Sequence, residues 1–208
     1  MNRKFIKNSN LILRKILKLN SNKTILKNFI ESFLNIYISE IEINKSPIID
    51  NKKSKDYGIV DVRVKTIEDE ELNVGIQIID GDYIQNKMFL YYAKIHSNQV
   101  LYNDNRKIVK TITINILDTS YLSTKQYHKV MRIKTNIIND SILETMELHL
   151  IELPKFYEII KDKHLNKQLW ICYLKGEDEE LIELAKKENS QINKLDKQLK
   201  KYWKKEKV

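Results

Sequence analysis

Two short stretches carry side chains whose types and spacing could do chemistry on a phosphate ester: Asp61-Val62-Arg63-Val64-Lys65 and Asn73-Val74-Gly75-Ile76-Gln77. Both alternate with a period of two, as strands do. Val60, Val62 and Val64 then share one face, and Asp61, Arg63 and Lys65 share the other. By the same parity Val74, Ile76 and Ile78 oppose a polar row of Asn73, Gly75 and Gln77. Paired strands would bring the two polar rows together. A magnesium site for phosphodiester cleavage needs hard oxygen ligands, usually carboxylates, with positions left open for water and phosphate. Asp61 supplies one carboxylate.

A second carboxylate is harder to find. Glu71 has the parity of Gly75 but lies four residues away, about 13 Å at a strand rise of about 3.3 Å per residue. Asp80 has the opposite parity unless the strand ends before it, and Asp82 falls at a helix start, where a carboxylate suits a cap. Glu31, on an N-terminal helix, could face the sheet. On the residues alone, Asp61 could equally pair with Arg63 or Lys65 on an exposed strand face. Gln77 could be a solvent-side amide, and Gly75 a bulge or a close backbone approach.

The surrounding pattern supplies the elements that position these strands. Leu11 to Leu17 and Ile25 to Phe33 repeat at helical spacing and predict helices near 10–18 and 22–37, with a turn at Asn20 to Asn22. Ile41 and Ile43 begin a first strand from Ser39, and an exposed Lys-rich loop with Asn51, Lys52 and Lys53 follows Pro47. A hairpin comes next, Ile59 to Lys65 and Leu72 to Ile78, turning at Glu68 to Glu71. Ile84, Met88, Tyr91 or Tyr92, and Ile95 advance by three or four and predict a helix from Asp82 to about Asn103. Tyr91, Tyr92 and Tyr102 are expected to be mostly core or rim packing rather than a base-stacking platform.

Three further strands are expected at Ile108 to Leu117, Tyr127 to Ile133 and Met146 to Leu153, the last ended by Pro154. Leu165 to Leu174 and Glu179 to about Lys204 read as helices separated by Gly176. This order gives an α/β sandwich around a mixed sheet.

Composition bounds the class. With 42% apolar and 31% charged residues and only 4 Gly and 2 Pro, the 208-residue chain should fold as one domain. Lys+Arg of 37 against Asp+Glu of 28 gives +9, which favours a polyanionic partner, although an AT-rich genome would produce the same bias toward lysine. The last helix is strongly basic, with Lys186, Lys187, Lys194, Lys197, Lys200, Lys201, Lys204, Lys205 and Lys207, and Tyr202 and Trp203 near its end. It reads first as a solvated face whose Ile182, Leu184 or Leu195 pack inward, and second as a phosphate contact.

A single cysteine, Cys172, excludes an intrachain disulfide and a thiolate zinc cluster and suits a cytoplasmic protein. Every apolar run falls short of a membrane span, and the basic start lacks the core of a signal peptide. The histidines His96, His128, His149 and His164 lack zinc spacing and receive no role. Phosphate-binding glycine loops and nucleophile elbows are also missing from the sequence, which excludes P-loop hydrolysis and serine-hydrolase chemistry.

Taken together, Asp61 to Lys65, the acidic turn and Asn73 to Gln77 resemble the core hairpin of the PD-(D/E)XK nuclease family of transposases, the group of recombination-promoting nucleases. Similar stretches continue through Tyr91 to Gln99, Ile114 to Asp118, Leu148 to Phe156, the helical start and Leu184 to Lys187, and so cover most of the chain. The resemblance implies a restriction-endonuclease-like mixed central sheet flanked by helices, within residues 1–160, and a helical C-terminal extension, residues 161–208, packed on the same domain. It also implies DNA as partner and Mg²⁺ or Mn²⁺ as cofactor, with Asp61 a metal ligand and Gln77 in the place of the usual lysine.

The glutamate of that pattern falls on Gly75, which has no side chain to hold a cation or position a metal-bound water. The expectation is a metal-dependent DNA endonuclease, impaired or inactive at Gly75 and possessing no bound cation if inactive. The alternative is a non-catalytic DNA-binding or protein-interaction module on the same fold. Arg63, Lys65, Lys87 and Lys94 are the candidate phosphate contacts, and a homodimer contact is a surface such a fold could keep.

Overall fold

The computed structural model describes residues 20–44, 60–79, 81–101, 108–132, 146–156 and 165–206. The expected helix at 10–18, the Lys-rich loop after Pro47, Asp80, Tyr102 and His164 lie outside the described residues. Within them the chain forms a six-stranded mixed sheet and five α-helices. It divides into two compact units, residues 38–155 and the combination of 1–37 with 156–208.

The first unit holds the sheet. Its strands are β1 (Ile38–Ile43), β2 (Val60–Thr66), β3 (Glu71–Ile79), β4 (Lys110–Leu117), β5 (His128–Arg132) and β6 (Met146–Glu152). They lie in the order β1-β2-β3-β4-β6-β5. The β1–β2, β2–β3 and β5–β6 pairs are antiparallel, whereas β3–β4 and β4–β6 are parallel. A parallel pair needs a crossover, and the helix Ile84–Leu101 provides it between β3 and β4.

The central strands are buried on both faces. β3, β4 and β6 read as near-continuous buried runs, as parallel strands covered on each side do. This tells against the alternative of an exposed strand face with a solvent-side amide: Asp61, Asn73 and Gln77 are all buried. The crossover helix covers that face. It packs Ile84 and Met88 against Ile79, Leu117, Met146, Leu148 and Leu150. Its far end is tied to β4 by Gln99, which donates from Nε2 to the Val109 carbonyl at 3.2 Å and to Thr111 Oγ1 at 2.9 Å, and accepts from Val109 N at 3.0 Å.

The second unit is helical. Numbering the α-helices in chain order, α1 spans Lys23–Leu34, α2 is the crossover helix just described, and α3, α4 and α5 span Asn166–Lys175, Glu179–Glu188 and Ser190–Glu206. α1 ends earlier than its apolar period suggests, because Asn35 adopts left-handed backbone (φ 55°) and returns its N–H to the Glu31 carbonyl. Phe29 meets Trp170 edge-on with ring centroids 5.1 Å apart, and the Trp170 indole donates to Asn28 Oδ1 at 3.0 Å.

The single long C-terminal helix expected from sequence is instead two. Asn189 takes extended backbone (φ −123°, ψ 107°), and its side-chain oxygen caps α5 by accepting from Gln191 N at 2.9 Å and Ile192 N at 3.2 Å. The same side chain donates to Asn28 and Asn166, at 2.9 and 3.2 Å. The apolar period runs on across this break, so periodicity alone passed over it; the Asn189-Ser190 pair, both favoured at helix starts, was the local signal.

Candidate active site

The hairpin places Asp61 and Gly75 directly opposite each other in the β2–β3 register. Asp61 is 5% exposed, and its Oδ1 has no hydrogen-bond partner. Burial pushes this carboxyl up to about 6, against the smaller downward pull of the Asn44 and Asn73 side-chain amides. Around it the polar row is stitched together. Asn44 donates to Asn73 Oδ1 at 3.3 Å, and Asn73 donates to the Ile95 carbonyl of α2 at 3.1 Å.

Gln77 turns along the sheet instead of toward Asp61. Its Nε2 donates to Asn115 Oδ1 at 2.6 Å. Asn115 in turn donates to Thr113 Oγ1 at 3.0 Å and to the His149 carbonyl at 3.1 Å. An amide ladder therefore crosses β3, β4 and β6, satisfying polar groups that would be costly to bury unpaired. Asn44 and Asn115 escaped sequence reading because their partners are far apart in the chain.

Gly75 is explained by space. Its backbone has no positive φ, so conformation does not demand glycine there. A Cβ on this residue would lie 2.5 Å from the Tyr91 hydroxyl, 2.5 Å from Ile95 Cδ1 and 2.8 Å from Tyr91 Cζ. Helical spacing stacks Tyr91 and Ile95 on the face of α2 turned to the sheet. Tyr91 is fully sequestered there, with its hydroxyl 3.0 Å from the Val60 carbonyl and 3.4 Å from that of Ile76. Its phenol is pushed well above the usual range by burial and, secondarily, by the Asp61 charge. Core packing was the correct expectation for Tyr91, but sequence did not reveal that it would fill the place of a side chain at residue 75.

The candidate phosphate contacts are held differently. Arg63 pairs with Glu71 at 2.6 Å and Lys65 with Asp69 at 2.6 Å, while Lys87 and Lys94 are half-buried on α2. Of the substitute carboxylates, Glu71 is engaged by Arg63, Asp82 is exposed, and Glu31 pairs with Lys27 in the helical unit.

A family profile described as PD-(D/E)XK nuclease family transposase matches residues 11–208. This chain belongs to that family. No curated protein and no solved structure matches it. PD-(D/E)XK nucleases generally use divalent metals, and a six-stranded mixed sheet together with five described α-helices is consistent with their restriction-endonuclease-like fold.

The donor set of this PD-(D/E)XK chain does not fit such a cation. Among the described residues no group of three or more His, Cys, Asp or Glu side chains could hold a metal ion. Asp61 stands in a desolvated position that favours its proton, and the space a second ligand at residue 75 would need is taken by a phenol and an isoleucine. A cation there would lack the opposing charge that offsets its dehydration.

On the opposite face of the sheet is a cluster that sequence reading missed. Glu147 receives Arg132 at 2.7 Å, Lys110 at 3.0 Å and His149 Nε2 at 2.7 Å, and His149 Nδ1 lies 3.0 Å from His128 Nε2. The register pairs Glu147 with Arg132 across β5–β6, which no spacing along the chain could reveal. Burial raises the Glu147 carboxyl, but hydrogen bonds from Arg132, His149 and Lys110 outweigh it and hold the group down to about 2.

Proposed function

We propose that this member of the PD-(D/E)XK nuclease family transposases keeps the nuclease scaffold and DNA as its partner but does not cut DNA. One observation carries the reading: the volume that a side chain at residue 75 would need is filled by Tyr91 and Ile95. A glutamate there would have to displace a buried ring from two backbone carbonyls, so the chain is packed for glycine. The other carboxylate on the described part of the β2–β3 polar row, Glu71, stands four residues from Gly75 and is engaged by Arg63, so beside Asp61 the arrangement lacks the opposed oxygen ligands from which hydrolysis with a metal-activated water is built. A cytoplasmic location and a homodimeric assembly belong to the same reading.

A second reading, an active Mg²⁺- or Mn²⁺-dependent endonuclease, draws on the buried Asp61 Oδ1 that has no partner, as an oxygen reserved for a ligand would. Incubation with supercoiled plasmid in Mg²⁺ or Mn²⁺ separates the two. The non-cleaving reading expects no nicking by the natural chain and none by Gly75→Glu, whose new side chain meets Tyr91. Nicking by the natural chain that disappears in Asp61→Ala would establish the second reading instead.

A further inference from the structure

The C-terminal helix α5 carries six lysines and two acidic residues within Ser190–Glu206. Its buried side is apolar: Ile192, Leu195 and Leu199 are sequestered. At 3.6 residues per turn, Lys194, Lys197 and Lys201 fall within about 60° of one another around the helix, roughly opposite that apolar stripe. All three are exposed. Lys200, to one side of them, is neutralised by Asp196 at 2.9 Å, and the same carboxylate lies 3.8 Å from Lys186.

Lys194, Lys197 and Lys201 have no acidic residue three or four positions away on the helix. They instead repel one another at i,i+3 and i,i+4, a spacing that weakens an isolated helix. Among the described residues Lys194 Nζ reaches Thr24 Oγ1, at 3.4 Å, a neutral partner that leaves its charge in place. The helix dipole favours cations within the last turn, which does not extend back to Lys194 or Lys197. A folded helix that keeps such a row in water is suited to a partner that removes the repulsion.

We propose that the Lys194–Lys197–Lys201 row of α5 is a contact surface for the phosphate backbone of duplex DNA. The row spans about 10 Å at a rise of about 1.5 Å per residue. One DNA strand places a phosphate about every 3.4 Å of helix axis and, because it winds around that axis, farther apart along its own path, so the row with the reach of its lysine side chains can face two or three of them. Backbone contact of this kind is independent of sequence and positions a protein on the duplex. An anionic membrane is the poorer match. Helices that lie in a membrane interface offer it a free apolar face, whereas the apolar residues Ile192, Leu195 and Leu199 of this one are buried.

The proposal rests on the reading of the chain as a DNA-associated family member, but not on whether it cuts. Fluorescence anisotropy with a labelled mixed-sequence 20-base-pair duplex over a KCl series tests it on the full chain. The variants are Lys194→Gln, Lys197→Gln and Lys201→Gln, singly and together, with exposed Lys125→Gln on the sheet unit as the control. Each lysine removed from a phosphate should reduce the slope of log K against log[salt] by about 0.9, so the triple variant should fall by about 2.7 while Lys125→Gln changes little. Circular dichroism should show unchanged folding.

A triple variant with the natural slope and affinity would overturn the proposal. So would natural protein that binds vesicles of phosphatidylserine and phosphatidylcholine but not the duplex. Plasmid nicking by the natural chain, with the slope reduced in the triple variant, would overturn the non-cleaving reading and leave this surface standing.

Discussion

The Tyr91 hydroxyl lies 2.5 Å from the point where a Cβ on residue 75 would sit, so Gly75 and Tyr91 share a volume that holds only one side chain. Both belong to the sheet unit, one on β3 and the other on the crossover helix above it. Both sides of the clash have a distinct energetic signature.

Gly75→Ala should therefore cost about 1–3 kcal/mol, the usual range for overpacking a filled core. Tyr91→Leu should cost about 2–4 kcal/mol, through the missing ring volume and the missing hydroxyl bond to Val60. Combined, the two should cost less than the sum of the singles by about 1 kcal/mol or more, because the smaller side chain makes room for the Cβ. Urea unfolding of the four proteins measures this coupling. Additive losses would mean that the two residues do not compete for space.

The Asp61 carboxyl makes a pH-dependent prediction. Its folded value of about 6 stands above the ordinary 3.8, so its proton is held more tightly in the native state. The associated stability is present below about pH 4 and is lost as pH rises toward and through 6. Asp61→Asn should gain stability relative to the natural chain at pH 8, by an amount on the order of 3 kcal/mol, and should gain little at pH 4. Chemical unfolding at the two pH values checks this. An equal effect at both would show that the carboxyl titrates normally.

Glu147 has the opposite sign. Its folded value of about 2 lies below the ordinary 4.5, so its contribution is present above pH 4.5 and disappears as pH falls toward and through 2. Arg132, one of the cations that holds it, is 56% exposed, which screens the gain. Glu147→Gln should cost about 1–2 kcal/mol at pH 7 and close to nothing at pH 2. Matching losses at both pH values would assign the effect to packing rather than charge.

Asn189 offers a check on the helical unit. Removing its caps to Gln191 and Ile192 and its bonds to Asn28 and Asn166 in Asn189→Ala should cost about 2 kcal/mol. Asn189→Asp keeps the cap oxygen but loses the amide donors, and should fall between. Thermal unfolding followed at 222 nm orders the three proteins. An unaffected Asn189→Ala would mean that α4 and α5 are joined without this cap.

Much of the architecture was legible because period and parity are local. The strand at Val60–Thr66, its partner at Glu71–Ile79 and the helix carrying Met88, Tyr91 and Ile95 follow from alternation and from steps of three or four. The family resemblance was carried by the same stretches, and the match over residues 11–208 agrees with it. The choice between Tyr91 and Tyr92 as the inward residue was not local: one is buried and the other only half-buried, according to how α2 lies on the sheet.

Sequence by itself determined the hairpin, the parity that puts Asp61 on one polar row and position 75 on the other, and the absence of a side chain there, since residue identity and a two-residue period require nothing beyond neighbours in the chain; that the two stand directly opposite is a matter of register. Only the tertiary structure decided that the polar row is buried beneath α2, that Gln77 is committed to Asn115, and that Glu147 gathers Arg132, Lys110 and His149. It also decided what stands beside Gly75. A gap in one strand is filled by whatever element crosses it, and that depends on a crossover packing residues distant in sequence into the same few cubic ångströms.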